Sequence, residues 1–143
     1  MTPRTRPAHL PLTALLAILW FGLWAVEYVL VRYDHMGTLA GLPEGWGLWF
    51  DALPVWTGAV LAVGIWGGLL GAIMMLARDR GAVLILAFAF LAMLVVAVWS
   101  VLSPAGPRPL PGFDPWLVLV AQVVVPALFW FYARSMKQAG ALA

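Results

Sequence analysis

The chain has 143 residues, of which 64% are hydrophobic and 10% charged, with a mean hydropathy of +0.98. A soluble domain carries about 25% charged residues, so an ordinary water-facing fold is excluded. Disorder is excluded as well, since it needs low hydrophobicity and high net charge. Cysteine is absent, which removes disulfides, thiolate metal sites and thiol nucleophiles from consideration.

A hydrocarbon core about 30 Å thick needs about 20 apolar residues in a helix. Four segments meet that length within a single domain, 1–143. The first runs over about 11–31 and the second over about 54–77, followed by a tight turn at Arg78-Asp79-Arg80-Gly81. The third covers about 82–102 and the fourth about 115–133, where Arg134 marks its exit. Pro11, Pro54 and Pro115 sit at or near first-turn positions, where a missing N–H costs nothing. Asp114 is placed to cap the fourth helix. The first segment reads as a retained span and not as a cleaved leader, because its apolar run is too long and ends in Glu27, Tyr28, Arg32 and Tyr33. The fold class expected is an all-α integral membrane protein, a four-transmembrane-helix bundle.

The charges sort by side. Arg4, Arg6, Arg78, Arg80, Arg134 and Lys137 fall on one side with Asp79, leaving +5 there. Arg32 and Arg108 fall on the other with Asp34, Glu44, Asp51 and Asp114, leaving −2. The positive-inside rule then puts both termini in the cytoplasm. The pI near 9.5 is therefore a topology signal and not a nucleic-acid signal. The loop 33–53 contains the Trp- and Gly-rich run Gly45-Trp46-Gly47-Leu48-Trp49-Phe50-Asp51, which reads as a short amphipathic segment in the interface. The loop 103–114 holds Pro104, Pro107, Pro109 and Pro111 and reads as a stiff, extended cover.

Glu27 stands within the first span, about 7–8 Å from its outer boundary at the helical rise. An ionisable group there is a functional-site hypothesis by default, because burying its charge is costly. Gln122, about 10 Å into the fourth span from the same side, is its expected partner. Pro126 leaves the Gln122 carbonyl without its helical donor. Trp20, Trp24, Glu27 and Tyr28 are spaced to share one helical face. The group Glu27, Gln122, Tyr28 and Trp24 is the expected binding cluster. It would serve either as a proton- or cation-responsive site or as a polar clamp between spans one and four. Gly64, Gly67, Gly68 and Gly71 form a small-residue stripe for close helix packing, within the chain or with a partner. Of nine tryptophans, Trp46, Trp49, Trp56, Trp99 and Trp116 map to the outer interface, Trp130 to the inner one, and Trp20, Trp24 and Trp66 lie deeper. His9 reads as a tail residue and His35 as a loop residue. No catalytic constellation, metal cluster or cofactor motif emerges, so no enzyme, no metal and no cofactor is expected.

The string Leu42-Pro43-Glu44, then Leu53-Pro54-Val55-Trp56, then Gly64-Ile65-Trp66-Gly67-Gly68-Leu69-Leu70-Gly71 before the Arg78–Arg80 turn, resembles a group of small four-helix bacterial inner-membrane proteins. The similarity is strongest over 42–90. Members are often labelled sugar transporters. The usual basic-aromatic turn after span two is here Arg78-Asp79-Arg80-Gly81. The resemblance implies a multi-pass bacterial inner-membrane location and no catalytic residues. Two functions follow as expectations. One is a non-catalytic accessory or structural subunit, in contact with the lipid bilayer and with other membrane-protein subunits or further copies of itself. The other is a small-solute, sugar-like transporter acting as an oligomer.

Overall fold

A computed structural model describes residues 7–33, 45–110 and 112–142, with the backbone alone at 45–47. Arg4, Arg6, His35, the 42–44 segment, Pro111 and the Trp46 side chain lie outside the described residues. Five helices follow in order: α1 (His9–Arg32), α2 (Gly45–Asp51), α3 (Val55–Leu76), α4 (Gly81–Leu102) and α5 (Pro115–Gln138). The four long ones are each long and apolar enough to cross a membrane. Their outward faces stay apolar. Leu12, Leu15, Leu16, Leu19 and Leu23 of α1 are exposed, as are Leu84, Phe88 and Leu91 of α4. Stripes of that kind on several helices suit a hydrocarbon environment.

The helix ends follow local chemistry. Asp114 caps α5: its Oδ1 accepts from the Trp116 and Leu117 N–H groups at 2.8 and 3.3 Å, with Pro115 behind it. α3 ends in a reversal in which the Asp79 N–H bonds the Met74 carbonyl and the Arg78 N–H bonds that of Met75. This motif requires a left-handed residue, and Arg78 fills the place at φ +64°. The Asp79 carboxylate then accepts the Gly81 N–H at 2.6 Å, opening α4. Arg134 does not end the last span. α5 runs on to Gln138, because a basic residue is favourable in a final turn, and the same reversal closes it at Gly140, φ +73°. Leu142 then folds back and is buried.

Packing runs in the order α1, α3, α4, α5. The antiparallel α3–α4 hairpin is the centre, α1 packs on α3, and α5 packs on α4. The glycines explain the close approaches. A Cβ at Gly71 would meet Leu86 at 2.8 Å, and one at Gly64 would meet Met93 at 3.2 Å. A Cβ at Gly68 would collide with the Phe21 ring of α1. Gly67 is roomier, with Ala89 3.9 Å away. The stripe is thus used inside the chain, Gly64 and Gly71 for α4 and Gly68 for α1.

α1 and α5 meet at the end that carries the termini and diverge at the other. At the termini end Phe21 packs on Phe129, with ring centroids 6.2 Å apart. There Leu10, Ala14, Met75, Ala82, Ala133 and Leu142 form one buried cluster. His9 is the first residue of α1 and not part of a tail; its Nδ1 lies 2.5 Å from the Tyr132 hydroxyl. A second cluster, built from Ala25, Trp49, Phe50, Leu61, Ile65, Met93 and Val96, closes the loop end of α1, α3 and α4.

Candidate functional site

The divergence of α1 and α5 leaves a cleft of about 660 Å³ at the loop end. Trp20, Leu23, Trp24 and Glu27 line one wall, and Leu117, Val118 and Ala121 the other. Leu110 and Phe113 roof it from the loop 103–114. That loop is not an extended cover. Gly106 and Gly112 adopt positive φ, and a bridge pairs Leu110 with Phe113, so the segment folds down over the helix ends.

The fold of the loop delivers Arg108 into the cleft. Its side chain is almost wholly buried, 4% exposed, and forms an ion pair with Glu27. The guanidinium carbon sits 4.5 Å from the Trp24 ring centroid and 5.6 Å from that of Phe50. Ring faces of this kind stabilise a cation that has lost its water. Burial pushes the Arg108 guanidinium down from its usual range to about 9, which still leaves it charged at neutral pH. The cleft is therefore an apolar chamber with one charge pair at its loop end.

The loop is tied down a second time. Trp49 of α2 donates its indole N–H to the Gly106 carbonyl at 3.1 Å. Trp49 is thereby buried, with Phe50, against α1 and α3 and does not stand in an exposed aromatic belt. An indole dipole needs a partner when buried, and the folded loop supplies a carbonyl.

Of the expected cluster, Trp24 and Glu27 share the cleft, and Tyr28 and Gln122 do not. Tyr28 turns toward α2 and packs edge-on against Phe50, 6.2 Å between centroids. Gln122 lies on the buried stripe Val118–Gln122–Pro126 of α5 and does not line the cleft. Depth matched Gln122 to Glu27, but the cleft stops short of it: Leu117, Val118 and Ala121 line the wall, and Gln122 is buried one turn beyond Val118. The Gln122 Nε2 and the Thr57 hydroxyl are buried without a hydrogen-bond partner among the described residues.

Arg108 is the site residue that sequence reasoning missed. The signal was present in the charge inventory. A membrane-embedded acid needs a cation, and that side of the chain holds only Arg32 and Arg108. Arg32 lies five residues along the same helix, on a different face, which leaves Arg108. Comparison of the chain with protein-family models, with curated proteins and with solved structures finds no match in any of the three.

Proposed function

We propose that this is a non-catalytic, polytopic membrane protein acting as an accessory subunit, whose α1–α5 cleft receives an apolar segment of another membrane protein. The observation that carries this reading is the cleft itself: about 660 Å³ of nearly uninterrupted apolar wall, open between two helices whose rims present exposed Leu23, Val26 and Leu117. The Arg108–Glu27 pair sits at one end, where it would orient the polar terminus of an inserted helix. The glycine stripe is occupied within the chain, so the cleft is the better surface for a partner. The six basic residues at or beyond the termini end support a multi-pass bacterial inner-membrane protein with both termini in the cytoplasm.

The second reading is sugar-like solute transport by an oligomer. It draws support from the buried charge pair at the cleft's end. It ranks lower because, among the described residues, Glu27 and Arg108 are the only charged or hydrogen-bonding side chains lining the cleft apart from two indoles, and hydroxyl-rich solutes need several such groups.

The test is photo-crosslinking in intact membranes from a reactive side chain placed at Leu23 or Leu117, with Val98 on the far face of α4 as control. The expected result is a protein adduct of one discrete mass from both cleft positions, absent from Val98 and lost in Arg108→Ala. Lipid adducts alone, or the same adducts from Val98, overturn the reading. An adduct of twice the chain mass makes the occupant a second copy. Saturable sugar uptake into proteoliposomes would favour the transporter.

A further inference from the structure

A second recess lies at the opposite end of the molecule, on a different pair of helices. α4 and α5 part near the termini end and leave a groove of about 590 Å³. Leu84 and Ala87 of α4 form its apolar wall, Trp130 of α5 its floor, and Arg134 and Lys137 its charged rim. Trp130 is held flat against Phe90, 13° between ring planes and 5.7 Å between centroids. Arg134 and Lys137 are three residues apart, so their side chains project from one face of α5.

Neither of these two cations forms an ion pair among the described residues. Among the described residues the acid at this end is Asp79, and its carboxylate is engaged on the Gly81 N–H. Arg80, on the α3–α4 turn, donates its Nε–H to the Leu142 carbonyl at 3.4 Å. The groove therefore combines two positive charges with no ion-pair partner among the described residues, an indole at the depth where tryptophan meets headgroups, and an apolar wall. That wall continues onto the exposed Leu84, Phe88 and Phe131 of the outer helix faces.

We infer that the α4–α5 groove binds the phosphodiester head of an anionic membrane phospholipid. Arg134 and Lys137 hold the phosphate, and an acyl chain lies along Leu84 and Ala87. Arginine meets phosphate oxygens in a two-pronged geometry, and lysine adds a point charge. Basic pockets between spanning helices on the cytoplasmic side suit such heads. A soluble phosphate would satisfy the rim and leave the wall unused, whereas a lipid covers both. A zwitterionic lipid would bring its own ammonium to a rim that already carries two positive charges.

The test is native mass spectrometry of the full chain released from detergent with phosphatidylglycerol or phosphatidylethanolamine added at matched concentration. Phosphatidylglycerol adducts are expected to persist, with phosphatidylethanolamine adducts lost first. Each surface cation contributes about fivefold to affinity for an anionic lipid, so Arg134→Gln with Lys137→Gln weakens phosphatidylglycerol binding about 25-fold. Both side chains are exposed, so the bundle survives their removal. Ala87→Trp fills the groove while keeping both charges and is expected to weaken binding as well. Arg32→Gln, at the other end, leaves it unchanged. Equal retention of the two lipids, an unchanged affinity in the double variant, or displacement of the lipid by millimolar inorganic phosphate or glycerol phosphate would overturn the assignment. The site is independent of the α1–α5 cleft, so failure in one leaves the other standing.

Discussion

Removing the Arg108 guanidinium strands the Glu27 carboxylate at the loop end of the cleft. Breaking one side of a buried pair costs about 3–5 kcal/mol, because the remaining charge stays out of water. Glu27 keeps 15% of its side-chain exposure and borders an open cleft, which places Arg108→Gln at the lower end, about 3 kcal/mol. The reverse change, Glu27→Gln, leaves the cation between Trp24 and Phe50, and the same reasoning gives about 3 kcal/mol again. The double variant strands no charge. It loses the contacts of the guanidinium with the Trp24 and Phe50 rings, about 1–2 kcal/mol. The two sites are therefore coupled by at least about 2 kcal/mol. Unfolding in mixed dodecyl-sulfate micelles, followed by circular dichroism, measures all three variants against the parent. If the double variant equals the sum of the singles to within about 0.5 kcal/mol, the pair is not the contact described and the loop 103–114 is held by other means.

Three further outcomes are expected. Gly68→Ala drives a methyl into the Phe21 ring and costs about 1–3 kcal/mol, whereas Gly67→Ala, with space beside it, stays within about 0.5 kcal/mol of the parent. Adding Phe21→Leu should rescue the first, and the same unfolding assay reads each. Arg78→Gly relieves the left-handed residue at the α3–α4 turn and stabilises by about 1 kcal/mol; a lower midpoint would contradict the turn geometry. Trp49→Phe removes the bond to the Gly106 carbonyl, costs about 1 kcal/mol, and should speed proteolytic cutting within 103–114, whereas Trp56→Phe, on a half-exposed side chain, leaves the cutting rate unchanged.

The four long apolar helices were legible because length and hydropathy alone decide which segments can cross a hydrocarbon layer. Their limits moved by only a residue or two, except at Arg134, where the helix continues through its basic end. The run 45–51 read as a short amphipathic segment from its tryptophans; that it is a helix, and where its side chains go, was not legible. Trp49 reads equally well as an interface anchor or as a buried side chain until the folded loop presents the Gly106 carbonyl. Glu27 announced itself as the acid inside a span. Its partner was hidden for two reasons. Hydropathy gives depth along a helix but not rotation about it, which made Gln122 look suitable. A proline-rich segment also carries no sign of whether it stands away from the bundle or folds into it, and Arg108 depends on the second.

The order in which the helices touch also implies an order of assembly. α3 and α4 are joined by the short turn at 77–80, so little chain entropy opposes their meeting. α1 must close the long connection before α3, and α5 must fold the 103–114 segment before it can settle on α4. The hairpin is thus the natural nucleus, and the α1–α5 pairing, with the fewest local contacts to help it, comes last. What forms last with the least packing is also what loosens first. The wedge between α1 and α5 is therefore the part of the molecule that opens with least disturbance to the rest.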